Sequence, residues 1–306
     1  MTVLTLGTRA STLARKQSRM VADDIARITG VTVTLTDIKT FGDTHTGSLA
    51  SLPQQGVFVS ALRDALLAGT VDMAVHSFKD LPSEPLDDIA LAATPARHSP
   101  FDALIARDGL TLDMLPSGAT IGTGSPRRAA RLRAKRPDVT VVDIRGNVDS
   151  RLDAVLSGRL DAVVLAVAGL ERLGRTAHIT EILAPEVMLP APAQGSLAVE
   201  CRSDSPDVAA LVGQIDDHST RVCVVAERAV LTSVHASCAS AIGALASYTD
   251  NTLTLTCDAS GPHGEHLMLT DTVTLHETDP LTHARRMGMS LGQQLLNAGA
   301  DSFLQR

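Results

Sequence analysis

The sequence predicts an α/β fold, two related lobes with largely parallel sheets around a cleft, followed by a small C-terminal α+β domain. Three observations predict it. Short apolar strands alternate with helical stretches through most of the chain, a helix–Gly–strand unit occurs twice, and the pattern changes near Asp217.

The first strand is Val3 to Leu6, and Gly7-Thr8-Arg9-Ala10-Ser11 leads into a helical pattern that runs to Ile28 and stops near Gly30. Val31 to Thr36 alternates as a strand, Phe58 to Ala68 has helical spacing, and Met73 to Ser77 reads as a buried strand. The stretch Asp64–Val75 then aligns without gaps to Asp153–Val164, with Asp, Ala, Leu, Gly, Asp and Val at the same offsets. A strand followed by Gly-Thr, a Ser and a helix also occurs twice, at Gly7-Thr8 and at Gly122-Thr123. Any helix–Gly–strand unit shares some of this pattern, but two echoes together favour related lobes. Proline lacks a donor and restrains its neighbour, so Thr94 to Pro100 and Leu189 to Ala193 mark the crossings between lobes. The expected division is 1-95 with 196-214, then 100-190, then 217-306. The last part reads as a helix from about Thr220 to Val234, strands near Ala241, Leu253 and Leu267, and a helix from about Pro280 to Ala298.

Composition narrows the function. Of 306 residues, 44% are hydrophobic and 20% charged, the balance of a globular protein. With no Trp, one Tyr and five Phe, the cores must be aliphatic, and the stacking platforms of single-stranded nucleic-acid binders are missing. A net charge of −7 gives no long-range attraction to polyanions, so any anion site must come from local clustering. No stretch reaches the roughly 18 apolar residues of a membrane span, and no signal peptide is evident, so a cytoplasmic protein is expected. Cys201, Cys223, Cys238 and Cys257 lack CxxC spacing and are expected as reduced thiols. No metal site is expected, because His263-Gly264-Glu265-His266 falls in a turn without convincing partners.

Arginines recur where strands end and helices begin, the ligand-binding edge of open α/β sheets. Arg9 follows the first strand, Arg145 follows the strand Val139 to Asp143, Arg151 lies one turn into the next helix, and Arg172 lies just beyond another strand. Ser125-Pro126-Arg127-Arg128 opens a helix with Ser as N-cap and Pro in the first turn. Two arginines there oppose the helix dipole unless an anion shares the site. Guanidinium groups grip carboxylates bidentately, so these arginines with Ser11, Thr123 and Ser125 suit a ligand bearing several carboxylates or phosphates; a solvated basic face is the alternative, preferred for Arg133, Lys135 and Arg136. In His76-Ser77-Phe78-Lys79-Asp80-Leu81-Pro82 a buried strand ends in Ser, Lys and Asp. Asp80 there either stabilises a developing positive charge or pairs with its neighbouring Lys in a turn. Cys238 has only small neighbours, which leaves room for a bulky adduct or packs as an ordinary buried thiol.

In this order, the motifs resemble the porphobilinogen deaminase (hydroxymethylbilane synthase) family along nearly the whole chain. They are Gly7 to Ala14 with Gln17, Gly56 to Val59, Ala74 to Pro82, Gly122 to Arg128, and Asp143 to Val148 with Arg151; Leu165 to Leu173 and Pro192 to Gly195 with Glu200 to Arg202 complete the set. The resemblance implies a monomeric cytoplasmic transferase of tetrapyrrole (haem) biosynthesis, with porphobilinogen as substrate and neither nucleic acid nor membrane as partner. It implies three domains, the first two like the lobes of type II periplasmic binding proteins. A dipyrromethane cofactor would be joined by a thioether to Cys238. Asp80 matches the catalytic carboxylate, which holds pyrrole N–H groups and stabilises the cationic azafulvene formed as the substrate loses ammonia. Four units are joined head to tail on the primer, and water releases hydroxymethylbilane.

The same resemblance assigns Arg9, Arg127, Arg128, Arg145, Arg151 and Arg172 to acetate and propionate side chains. Ser11, Ser77, Lys79, Thr123 and Ser125 match surrounding polar contacts, Gln194 matches one between the lobes, and Phe58 matches a ring beside the cofactor. The chain departs from the family at Gln55, where Lys is frequent, at Ser237, where Gly is frequent, and at Ala241, where Pro is frequent. A non-catalytic two-lobed anion-binding protein would explain the arginines and lobes but gives Cys238 no task. Nucleic-acid binding through the helix from Arg127 to Arg136 conflicts with the net charge and the scarcity of aromatics.

Overall fold

A computed structural model of the chain describes residues 3–38, 59–84, 86–235, 240–275 and 279–304. They form two compact units, Met1–Arg97 with Ser196–Arg221, and His98–Gly195 with Val222–Arg306.

In the first unit, β1 (Val3–Arg9), β2 (Thr32–Ile38), β3 (Met73–Ser77), β4 (Ile89–Ala93) and β10 (Leu197–Arg202) form one sheet in the order β2-β1-β3-β10-β4. The first three strands run parallel, and β10 is antiparallel to both its neighbours. Helix α1 (Thr12–Thr29) buries Val21, Ala22 and Ile25 against this sheet; Ser11 caps its start, and Gly30, at φ +72°, closes its end through the carbonyl of Ala26. Helix α2 (Ser60–Leu67) packs Leu62 and Leu66 below β1 and β3.

The second unit repeats that sheet. Its strands are β5 (Asp102–Ala106), β6 (Thr120–Gly122), β7 (Thr140–Val142), β8 (Ala162–Ala166) and β9 (Glu181–Leu183), in the order β7-β6-β8-β5-β9, with β7, β6 and β8 parallel and β5 antiparallel to both its neighbours. Helices α3 (Pro126–Lys135), α4 (Val148–Leu156) and α5 (Val167–Leu173) follow β6, β7 and β8. The sequence echo has a structural cause. Asp72 accepts the amide of Thr5 at 2.7 Å and its counterpart Asp161 accepts that of Thr120 at 2.8 Å, so each pins the equivalent strand, β1 or β6, of its own sheet. A Cβ on Gly7 would lie 3.2 Å from Val71 Cγ2, and one on Gly122 would lie 2.6 Å from Cδ1 of Leu160, the aligned residue. Gly122→Ala is therefore expected to cost about 1–3 kcal/mol through overpacking, measured by denaturant unfolding; an unchanged midpoint would show that Leu160 moves aside freely.

The remainder of the second unit has a core of its own. Strands β11 (Ile242–Thr249), β12 (Thr252–Ser260) and β13 (His266–Thr274) make an antiparallel meander, with Asp250 and Asn251 at positive φ in the first hairpin, as a two-residue turn requires. Leu253, Leu255 and Cys257 point inward to helices α7 (His218–Ser233) and α8 (Pro280–Asn297), while Thr254 and Thr256 pair with Thr272 and Thr270 on the outer face. A short helix, α6 (Pro206–Val212), joins β10 to α7. The expected domain 217-306 is tied to the preceding segment by Ala244 N–H to Pro190 O, 2.9 Å, and by buried Glu227, which accepts Ala193 N–H at 2.6 Å.

The helices and strands expected from the sequence recur here within a few residues. The chain also contains β4, β5, β9, β10, α5 and α6, which were not anticipated.

Candidate functional site

In the first unit the candidate residues gather at the carboxyl ends of β1 and β3. Arg9 closes β1, Ser11 accepts Ala14 N–H as the α1 cap, and Gln17 Nε2 donates to Ser77 Oγ at 2.9 Å, tying α1 to the end of β3. Beyond β3, Phe78–Asp80 form one 3₁₀ turn. It is anchored by buried Phe78 and Leu81 and by the Phe78 amide, which donates to Ser196 O at 3.1 Å. Asp80 stands exposed at the end of this turn, and among the described residues its carboxylate has no hydrogen-bond or ion-pair partner. No hydrogen bond or ion pair joins Asp80 to Lys79 among the described residues. What results is an exposed carboxylate on a fixed backbone, at the edge where open α/β sheets take ligands.

Below that turn lies a buried ion cluster. Glu200 on β10 accepts Nε and Nη2 of Arg63 at 3.0 and 2.6 Å and stands 3.3 Å from His76 Nε2 on β3. Burial alone would raise the Glu200 carboxyl, but the hydrogen bonds and charges of His76 and Arg63 outweigh it and hold the pKa at about 2. Because the folded value lies below the ordinary one of 4.5, this group stabilises the fold above pH 4.5 and loses that contribution as pH falls toward 2. The shift corresponds to about 3 kcal/mol. Unfolding free energies between pH 5 and pH 2.5 should fall more steeply in the wild type than in Glu200→Gln, and parallel curves would contradict the assignment.

In the second unit the candidates again collect at the carboxyl ends of parallel strands. Thr123 and Ser125 follow β6, Ser125 caps α3 by accepting Arg128 N–H, and Pro126 occupies the first turn. Arg145 follows β7, is exposed, and lies 3.4 Å from Asp143. Arg151 lies in α4, which Asn147 caps. Arg172, expected just beyond a strand, instead lies in the last turn of α5 and donates to Gly195 O at 2.7 Å; burial pulls its pKa down to about 10.

Arg127 and Arg128 do not point into solvent, and the anion they meet is one of the chain's own. Fully buried Asp102 opens β5, and because β5 runs antiparallel to β8 its start lies beside the end of β8, at the arginine edge of the sheet. Arg127 Nη2 reaches Asp102 Oδ2 at 2.7 Å, and Arg128 Nη2 and Nε reach Oδ1 at 2.7 and 3.1 Å. Gln194 Nε2 adds a bond of 2.9 Å to Oδ1. Burial works against the Asp102 charge, yet the two arginines overcome it and push its pKa far below the carboxylate range. Arg127 Nη1 and Arg128 Nη1 finish on the carbonyls of Leu189 and Val164, at 2.5 and 2.8 Å. Sequence reasoning missed Asp102, although a charged residue opening an otherwise apolar buried strand was the available signal.

One carboxylate does not neutralise these cations. Burial and the like charge of Arg128 both lower the Arg151 pKa, and the Nε atoms of Arg127, Arg151 and Arg172 are buried without a hydrogen-bond partner among the described residues. A ligand carrying several carboxylates would satisfy this surplus. Two expected residues, Phe58 and Cys238, lie outside the described residues, as do the departures Gln55 and Ser237.

Comparison with known proteins decides among the ligands such a site could take. Residues 4–210 match the family model of the porphobilinogen deaminase dipyrromethane cofactor binding domain, and residues 221–297 match that of the porphobilinogen deaminase C-terminal domain. The chain belongs to the porphobilinogen deaminase family. A porphobilinogen deaminase of Cutibacterium acnes is 50% identical, the alignment covering 98% of this chain and 96% of the relative. One of Thermobifida fusca is 48% identical, with 98% and 95% covered. Among solved structures, an ABC transporter periplasmic substrate-binding protein from Coxiella burnetii matches 71% of this chain and 93% of its own, at 15% identity and a TM-score of 0.45. No described helix is long and apolar enough to cross a membrane. The porphobilinogen deaminase family model that covers the arginine cluster is thus the one described by its cofactor, and the surplus of buried, unpaired guanidinium nitrogens suits a group rich in carboxylates.

Proposed function

We propose that this chain is a transferase that joins four porphobilinogen molecules head to tail, releasing ammonia at each step and hydroxymethylbilane at the end, for tetrapyrrole biosynthesis. The observation that carries the reading is the surplus of guanidinium over carboxylate at the strand ends of the second unit. Acetate and propionate groups of pyrroles are the ligands that would balance it. In this reading Arg9, Arg145, Arg151 and Arg172, with Ser11 and Phe58, hold substrate; Ser77, Lys79, Thr123, Ser125, Arg127, Arg128, Arg145 and Gln194 hold the cofactor. Bound through Cys238, dipyrromethane would supply the primer on which the product is assembled.

Asp80 carries the chemistry of the chain itself. As the substrate's aminomethyl group leaves as ammonia, positive charge develops over the pyrrole and its methylene carbon. An exposed carboxylate on such a turn can accept the pyrrole N–H and stabilise that charge without first breaking a bond to another described residue. The arginines fix the side chains of the ring, so the electrophilic carbon is presented in one orientation. The reading includes a monomeric, cytoplasmic enzyme, as the family resemblance implies.

Intact mass of the purified protein tests the proposal. The expected surplus is that of two porphobilinogen units, each less ammonia, absent from Cys238→Ser. An unmodified wild type that gains no mass when porphobilinogen is added would instead support a binding protein without turnover.

A further inference from the structure

We propose that Glu227 is a positioning residue for the carboxylate-bearing ligand, acting through the turn that aims Gln194 and the Gly195 carbonyl; the inference rests on the functional reading above. Glu227 is fully buried on α7, and the chemistry assigned above makes no use of it. Its Oε2 accepts Ala193 N–H at 2.6 Å, and its Oε1 accepts Ala246 N–H of β11 at 2.8 Å. A buried carboxylate is a costly way to satisfy two backbone donors, so its use argues for a segment that must be held.

The segment needs holding because it is strained. Gln194 N–H donates to Ala191 O at 2.9 Å, closing a four-residue turn with Pro192 second and Ala193 third. Ala193 has φ +62°, the sign that the third residue of a type II turn requires and that glycine adopts without steric cost. Alanine carries a Cβ, so this conformation persists only where its surroundings impose it. Glu227 imposes it by fixing the Ala193 amide.

What the turn carries is a set of acceptors for the arginines. Gln194 Nε2 donates to Pro100 O at 2.7 Å and to Asp102 Oδ1 at 2.9 Å, and its Oε1 lies 3.4 Å from Arg128 Nη2. Gly195 O accepts Arg172 Nη2 at 2.7 Å, and just before the turn Leu189 O accepts Arg127 Nη1 at 2.5 Å. The exit has no slack, since a Cβ on Gly195 would fall 2.5 Å from His98 O. Three arginines are thus braced by the stretch 189–195. A shift of the turn would re-aim the Nε groups of Arg127 and Arg172, which are buried without a hydrogen-bond partner among the described residues.

The test is steady-state consumption of porphobilinogen by the full chain, read as KM and kcat separately. Glu227→Gln keeps one acceptor oxygen for two donors, and should raise KM about tenfold while kcat stays within threefold. Adding Ala193→Gly to Glu227→Gln should return KM to within threefold of wild type, because glycine holds the positive φ unaided. Tm should stay lowered in that double variant, because one buried donor still lacks its acceptor. Val230→Ala, a core truncation on the same helix, should lower Tm with KM unchanged. A KM for Glu227→Gln within twofold of wild type would overturn the inference. So would an equal rise in Val230→Ala at matched Tm, or a double variant whose KM stays as high as that of Glu227→Gln. Should Glu227→Gln fail to fold, Ala193→Val in the otherwise native chain decides: a β-branched residue resists positive φ, so KM about tenfold higher is expected, and a wild-type KM overturns the inference. A wild type that consumes no porphobilinogen would remove the functional reading and this inference together, whereas normal turnover with one KM in all variants would remove the inference alone.

Discussion

Replacing Asp80 by Ala should lower the rate of porphobilinogen consumption by about 10²–10³-fold, the size of loss seen when one preorganised charge-stabilising group is removed. The structure separates this effect from folding. The Asp80 side chain is exposed and has no partner among the described residues, while the turn itself is held by Phe78, Leu81 and the bond to Ser196. Tm should therefore stay within about 2 °C of wild type, as for surface substitutions that break no contact. Asp80→Asn keeps the shape and removes the charge. If charge is what matters, the two variants should be similarly impaired. Near-normal turnover in Asp80→Ala would strip the residue of its assigned role.

The second large effect is on stability. Asp102→Ala leaves two buried guanidinium groups without their counter-charge, and breaking such a cluster costs about 3–5 kcal/mol. A fall in Tm of roughly 10 °C follows for a unit of this size. Asp102→Asn keeps hydrogen-bond acceptance but not the charge, and should lie between. A Tm within about 2 °C of wild type for Asp102→Ala would mean that the cluster relaxes or hydrates at little cost. Arg127→Leu provides the converse. It should tolerate folding better, since Arg128 and Gln194 remain on Asp102, but should slow cofactor loading.

Much of the fold was legible because its signals are local. The Ser125-Pro126 helix start, the stop at Gly30 and the alternation of Leu253, Leu255 and Cys257 each follow from backbone preference or side-chain period. The repeat was legible too, through the Asp72 and Asp161 positions, whose function in pinning Thr5 and Thr120 the sequence did not state. Arg172 was misplaced by an element because the short helix after β8 begins without a side-chain cap, leaving no local mark of its start.

By itself the sequence determined the α/β class, the two related sheets, the aliphatic cores and the family, since composition, period and ordered motifs are written along the chain. Only the tertiary structure decided which charges are spent on each other. Asp102 lies many residues from Arg127, and their pairing depends on β5 entering the sheet antiparallel between β8 and β9. The same holds for Asp258 and Gly243, brought together by the register of a hairpin. A charge's partner is set by strand order and direction, long-range properties to which no local pattern of residues responds.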